Sequence, residues 1–210
     1  MLALIYIPHI LYNKDYMKKI TSQEIIIKEA LLLLNEVGIE SVSTRKIAQR
    51  LGVEQPALYW HFKNKKELLK AMAYEAIKNH NASPLPSPDQ EVKSWFIEHM
   101  QSFRKTLLLH RDGARLHSIM IPDHDLIHLD ANIKFLASTG MSQKKARLIL
   151  LILNKFTIGF VIEEQQEIDA NVLQCDSEFY LLDKESVFKE TISSLMERML
   201  FNKGVEHDFV

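Results

Sequence analysis

The chain has 210 residues, of which 47 % are apolar and 25 % are charged, and its formal net charge at pH 7 is −1. These values are typical of a globular protein with one large core or two smaller ones, and they exclude a disordered or fibrous chain. Cys175 is the single cysteine, which excludes an internal disulfide and favours a reducing, cytoplasmic location.

Two apolar stretches resemble membrane segments in composition, but neither meets the other requirements of one. The run 2–12 contains Pro8 and is not followed by a small-residue cleavage site, so we do not interpret it as a signal peptide. The run 148–162 is interrupted by Lys155 and is shorter than the roughly 20 apolar residues of a spanning helix, which predicts a buried helix. We interpret residues 1–16 as an N-terminal extension outside the fold.

Helix signals dominate from Met17 onwards, and strand alternation is nearly absent. Thr21 and Glu24 have the spacing of a capping box, and Gly38 is expected to end the first helix. The apolar stripe of this helix consists of Ile25, Ile26, Ala30, Leu33 and Leu34. This stripe predicts one face packed on a core.

Two short helices are expected next, with a tight turn between them. Ser43 is expected to cap the first and Gly52 to end it, and the second begins near Gln55, with Pro56 in its first turn. Asn64 then opens a fourth helix. Two short helices joined by a glycine-containing turn are the geometry that places a recognition helix in the DNA major groove.

The segment 83–88 contains three prolines in six residues, which excludes a helix and marks a domain boundary. We predict an all-α fold with a helix-turn-helix domain over 17–80 and a second helical domain over 81–210. Helices of the second domain are expected near 89–109, 112–119, 124–138, 142–166 and 184–202. The stretch 167–183 lacks clean periodicity and predicts a loop with one short helical piece.

The distribution of charge also favours a nucleic-acid partner. The segment 44–70 contains seven Lys or Arg and two Glu and so carries +5, which leaves −6 on the rest of the chain. On charge alone a solvated surface is an equally good interpretation. However, several side chains of the third helix are not required for packing and are expected to face outward, namely Gln55, Ala57, Tyr59, Trp60 and His61. Aromatic side chains on a surface predict a DNA contact through thymine methyls and phosphates.

The run 43–69 resembles the DNA-binding domain of the TetR family, whose signature Leu58-Tyr59-x-His61-Phe62-x-Asn64-Lys65 follows Ala48-x-x-Leu51-Gly52-Val53. The resemblance implies a repressor fold with a divergent C-terminal domain for ligand binding and dimerisation. The residues it assigns to DNA are Thr44, Arg45, Gln55, Pro56, Ala57, Tyr59, Trp60, His61 and Lys65. Of these, Arg45 and Gln55 would read base edges, and Ala57 stands where a close relative has Thr.

The same resemblance implies a sensing site. Residues 102–117 resemble a segment that ends in a metal-binding histidine, and residues 156–165 resemble one that carries an acidic partner. His117 would coordinate a Mg²⁺ that is chelated by a tetracycline-like inducer, and Glu163 of a second subunit would hold a metal-bound water. The other implied ligand contacts are Asn81, His99, Phe103 and Asn132.

Several positions depart from the family pattern in this site: Asn81, His99, Ile121, Asn132 and Lys155. A different, metal-independent hydrophobic inducer is therefore the alternative. The apolar C-terminal helices 142–166 and 184–202 predict a homodimer with a four-helix bundle, which would bind a palindromic operator. The inducer would move the helix 112–119 and, through the helix 65–80, the recognition helices.

The sequence gives little support to a catalytic function, and we predict that the protein is not an enzyme. His110-Arg111-Asp112 imitates a kinase triplet, but no glycine-rich loop precedes it and no Asp-Phe-Gly follows. His124 and His128 have metal-site spacing but lack the intervening Glu of a zincin. A helical interaction protein would leave the surface of the third helix unexplained.

Overall fold

The computed structural model describes residues 22–81, 90–119, 126–169 and 183–201. In these four ranges the regular elements are all α-helices, as the sequence predicts. They are α1 (Gln23–Ser41), α2 (Thr44–Leu51), α3 (Gln55–Tyr59), α4 (Lys65–Asn81), α5 (Val92–Leu108), α6 (Gly113–Ser118), α7 (Leu126–Ser138), α8 (Gln143–Asp169) and α9 (Lys184–Phe201). The predicted extension 1–16, the proline segment 83–88 and most of the predicted loop 167–183 lie outside the described residues.

The chain divides into two compact units, Met1–Leu68 and Leu69–Val210, and the division falls inside α4. The domain boundary predicted after residue 80 depends on the proline segment, so it stays a prediction. Among the described residues, we find no helix with both the length and the apolar character that a membrane crossing requires.

In the first unit, α1 begins one residue later than predicted. Ser22 rather than Thr21 is the N-cap residue, and its hydroxyl accepts the N–H of Ile25 at 3.3 Å. At its other end α1 breaks at Gly38, as predicted: Gly38 has φ 73° and leaves the helical region, and a short helical piece follows as far as Ser41. Ile39, directly after the break, is buried.

The second unit is built around α5, α8 and α9. Their interior side chains, with those of α7, form one apolar core whose members include Trp95, Phe96, Met100, Leu136, Leu153, Phe188, Ile192 and Met196. A smaller cluster joins α4, α5, α6 and α8 through Ile77, Phe103, Leu107, Ala114 and Val161. Burial of these side chains supplies the main driving force for folding.

Candidate DNA-binding surface and ligand site

The turn between α2 and α3 has the geometry that a helix-turn-helix requires. The Ser43 hydroxyl accepts the N–H of Lys46 at 3.3 Å and caps α2. At the other end Gly52 has φ 67°, and the N–H of Val53 donates to the carbonyl of Ala48 at 3.0 Å. This left-handed C-terminal cap reverses the chain within two residues, since glycine adopts positive φ without a steric penalty.

Helix α3 separates its packing residue from its surface residues. Leu58 is 1 % exposed and anchors the helix, whereas Tyr59 and Trp60 are 48 % and 84 % exposed. Pro56 lies in the first turn and is exposed, as predicted. The structure therefore presents a phenol and an indole side by side on one short surface.

The amide of Gln55 joins this surface to α2. Its Nε2 donates to the Thr44 hydroxyl at 3.0 Å and to the Tyr59 hydroxyl at 3.1 Å. Three of the predicted DNA contacts, Thr44, Gln55 and Tyr59, are thus brought into one hydrogen-bonded group. Because an amide has two N–H donors, a base acceptor must replace one of these two bonds when it meets Gln55.

The other predicted DNA contacts surround this group. Arg45 and Lys65 are exposed, and Ala57 and His61 are partly buried. The backbone carbonyl of His61 accepts a hydrogen bond from Nε2 of Gln23 at 3.1 Å, which fixes the chain just after α3.

Arg50, a cation of the basic segment, is already paired within the protein. Nε of Arg50 lies 2.5 Å from Glu29, and its two terminal nitrogens lie 2.6 and 2.9 Å from Glu36. The hydrogen bond from Arg50 lowers the pKa of Glu36 below its usual value. The sequence count therefore overstates the positive charge available to a partner, which rests on exposed residues such as Lys46, Lys63 and Lys66.

In the second unit the predicted ligand residues are linked by a series of ring contacts. Trp95 stacks on His99 with centroids 4.6 Å apart, and His99 lies 4.4 Å from His80. His80 stacks on Phe103 at 5.0 Å, and Phe103 meets His117 edge-on at 5.2 Å. We call these five residues the ring series. It brings together His99, Phe103 and His117, three of the ligand contacts that the family resemblance implies.

Polar groups border the ring series on two sides. Nδ2 of Asn132 lies 3.4 Å from Nε2 of His99, and Nδ1 of His80 lies 3.3 Å from the Ser102 hydroxyl. Burial lowers the pKa of His99 to about 4, so this imidazole is neutral at pH 7. A neutral ring offers a hydrogen-bond acceptor, and we assign that role to Nε2 opposite the Asn132 amide.

Sequence reasoning missed two members of the ring series. Trp95, His99 and Phe103 are four residues apart and so share one face of α5, a signal present in the sequence. His80 had no such signal, because only the packing of α4 on α5 brings it between His99 and Phe103.

Two predicted site residues do not join the ring series in the described structure. The side chain of Asn81 lies outside the described residues. Glu163 is exposed on α8, whereas its neighbour Glu164 forms a buried ion pair with Arg104 at 2.5 Å. Among the side chains that the structure describes, no three His, Cys, Asp or Glu are grouped closely enough to hold a metal ion.

These features define a helix-turn-helix regulator with an attached helical domain. Comparison with known families agrees: residues 26–72 match the family described as bacterial regulatory proteins, tetR family, and residues 85–186 match the tetracyclin repressor-like C-terminal domain. The chain belongs to the TetR family, which confirms the resemblance found in the sequence.

The relatives include tetracycline repressors. The class A repressor from transposon 1721 of Escherichia coli is 44 % identical over 67 % of this chain and 65 % of its own length. Among solved structures, a TetR variant from Acinetobacter baumannii AYE in complex with minocycline is 36 % identical, has a TM-score of 0.74, and is matched over 84 % of this chain and 95 % of that one. TetR class A in complex with 5a,6-anhydrotetracycline and magnesium is 33 % identical, with a TM-score of 0.71 over 85 % and 97 % of the two chains.

Proposed function

We propose that this chain is a ligand-responsive transcriptional repressor, which binds a palindromic operator as a homodimer and leaves it when a small-molecule inducer binds. The observation that carries the proposal is the surface of α3, where Trp60 is 84 % exposed beside Tyr59 and the fixed amide of Gln55. Exposed aromatic rings of this kind mark an interaction site.

Each exposed group of this surface has a partner in a DNA duplex. Gln55 matches the paired donor and acceptor of adenine once its Nε2 exchanges one of its bonds to Thr44 and Tyr59 for the base. Arg45 matches the two acceptors of guanine. Pro56 and Tyr59 provide apolar contacts for thymine methyls, and Lys65 provides a cation for a phosphate. We assign Thr44, Trp60 and His61 to the phosphate backbone as well.

A homodimer supplies the second recognition helix that a palindrome requires. In support of it, α8 packs one side on α5, α7 and α9 and carries the apolar Leu151 at 54 % exposure on its other side. Covering Leu151 with a second copy of α8 would remove this side chain from water.

For the inducer, the ring series favours a flat ligand that combines an apolar body with polar edges. Trp95 and Phe103 provide aromatic surface, and the pair of His99 and Asn132 provides hydrogen bonding. We propose a Mg-tetracycline-like compound, in keeping with the magnesium and anhydrotetracycline bound by the class A relative.

The donor set fits Mg²⁺ only as an ion shared with the inducer. Mg²⁺ prefers oxygen ligands and keeps several waters, whereas among the described residues His117 belongs to no group of three protein ligands that could enclose an ion. His117 of one copy and the exposed Glu163 of the other would hold the ion, and its charge would anchor oxygen atoms of the inducer.

A metal-independent aromatic or hydrophobic inducer is the second candidate. It is favoured by the neutral state of His99 and by the ring contacts, which need no ion to recognise an apolar face. Location in the cytoplasm follows from the proposed role at the operator.

The experiment begins with selection of an operator from a pool of random duplexes by the purified full-length protein. Gln55→Ala is then expected to weaken binding to the selected duplex by about 5- to 150-fold, because a bidentate base contact contributes about 1–3 kcal/mol. Gln49→Ala is the matched control, since Gln49 is exposed on α2, and it should bind as the wild type does. Failure to enrich any duplex would overturn the proposal.

Titration of the complex with anhydrotetracycline, with and without Mg²⁺, separates the two inducer classes. Release that requires Mg²⁺ supports the shared ion, and release without Mg²⁺ supports the metal-independent candidate. Retention in both titrations would remove tetracyclines as inducers.

A further inference from the structure

The geometry points to Gln165 as the positioning residue that couples α6, which carries His117, to α8. Gln165 itself belongs neither to the ring series nor to the recognition surface, by which we mean the exposed group around Gln55, Tyr59 and Trp60. The inference rests on the proposed function, since it assigns a route by which ligand binding at His117 affects the rest of the protein.

The side-chain amide of Gln165 holds both sides of the turn between α5 and α6. Its Nε2 donates to the carbonyl of His110 at 2.7 Å and to the carbonyl of Leu107 at 3.3 Å, and its Oε1 accepts the N–H of Ala114 at 3.4 Å. The last carbonyls of one helix and the first N–H groups of the next have no intrahelical partner. A single amide therefore satisfies groups from two helix ends.

The chemistry of these bonds requires glutamine. Two acceptors and one donor converge on the side chain, and only an amide presents two N–H donors and an oxygen acceptor together. A glutamate offers no donor to the two carbonyls, and a methionine of similar length makes none of the three bonds.

The turn that Gln165 holds is constrained on its other side as well. Asp112 has φ 56°, a conformation that side-chain-bearing residues rarely adopt, and a side chain on Gly113 would overlap the Leu107 carbonyl oxygen. The turn therefore has little freedom to deform within itself. A displacement of α6 by a ligand at His117 is transmitted to the bonds of Gln165 and hence to α8.

The surrounding packing supports a role in coupling rather than in folding alone. Ala114 and Val161 are fully buried in the cluster that also contains Ile77 of α4, so apolar contacts keep α6 on α8 when the amide is removed. In addition, Glu164 fixes α8 to Arg104 of α5 through two bonds of 2.5 and 3.0 Å. Loss of the Gln165 amide should therefore loosen α6 selectively.

The test compares Gln165→Met with Gln166→Met, a matched control because Gln166 is exposed on the same helix. The measured quantity is the factor by which anhydrotetracycline with Mg²⁺ lowers the affinity of the full-length protein for its selected duplex. We expect that factor to fall at least tenfold in Gln165→Met, with operator affinity in the absence of the drug changed less than threefold. Gln165→Glu should behave like Gln165→Met, and Gln166→Met like the wild type. An unchanged factor in Gln165→Met would overturn the inference.

A second measurement needs no inducer. In protein labelled with ¹³C-histidine, Gln165→Met should shift the ring signals of His117 and leave those of His99 in place, whereas a general loss of stability would affect both. If anhydrotetracycline fails to release wild-type protein, the proposed inducer is wrong, and Gln165 is judged on this spectrum. Unchanged His117 signals would then refute its positioning role.

Discussion

The recognition surface and the ring series differ in whether the residues that pack the protein are also the residues that make the contacts. On α3 the packing residue and the contact residues are different: Leu58 is buried, and Trp60 is almost wholly exposed. In the ring series one residue serves both purposes, because Phe103 is 4 % exposed, belongs to an apolar cluster and also touches His80 and His117. The DNA surface can therefore change with little effect on folding, whereas the ligand site cannot.

The largest expected effect comes from truncating Phe103. Phe103→Ala should lower the free energy of unfolding by about 3–5 kcal/mol, the usual range for removing a buried phenyl ring. Trp60→Ala should change it by about 0.5 kcal/mol or less, because the indole is mostly in water, while weakening operator binding. Urea unfolding and duplex titration measure the two quantities. Equal losses of the free energy of unfolding in both variants would contradict the difference between the recognition surface and the ring series.

A smaller effect is expected from the titration of His99. Because its pKa is about 4 in the folded chain and near 6.5 in an unfolded one, the unfolded state binds more protons between these values. The contribution of neutral His99 to the free energy of unfolding is therefore complete above pH 6.5. It decreases as the pH falls towards 4, by about 3 kcal/mol in total.

The variant His99→Phe keeps a ring next to Trp95 and removes the titrating group. We expect its free energy of unfolding to fall less between pH 7.5 and pH 4 than that of the wild type. Identical pH profiles would show that the burial of His99 has no energetic consequence.

The smallest effect separates two cations of the basic segment. Lys65 is exposed and assigned to a phosphate, whereas Arg50 is held by Glu29 and Glu36. Lys65→Met should reduce the slope of operator affinity against salt concentration by about one, the value for one lost phosphate contact. Arg50→Met should leave the slope nearly unchanged. The reverse order would mean that Arg50 exchanges its carboxylates for DNA.

The sequence predicted the turn between α2 and α3 well because the interactions that form it are local. Ser43, Gly52 and Leu58 act within a few residues of their partners, and short-range rules of capping and turns describe them. The bonds from Gln55 to Thr44 and Tyr59 were not predicted, since they depend on the angle between two helices.

The contacts of the ring series could not be predicted from local sequence patterns. His99, Phe103 and His117 were placed in one site by resemblance alone. His80 and Gln165 act across α4, α5, α6 and α8, and nothing in their local sequence distinguishes them from neighbouring polar residues. The pairing of Arg50 likewise depends on helix packing, so a count of charges along the chain could not find it.

Two glycines of this chain resist substitution for different reasons. Gly52 is restricted by its backbone angle alone, since a Cβ there would meet no atom within 4 Å, and asparagine, which tolerates positive φ, is a natural replacement. At Gly113 the Leu107 carbonyl occupies the space of the Cβ, so even alanine must push the two helices apart. A saturation mutagenesis library should therefore recover asparagine at position 52 and glycine alone at position 113.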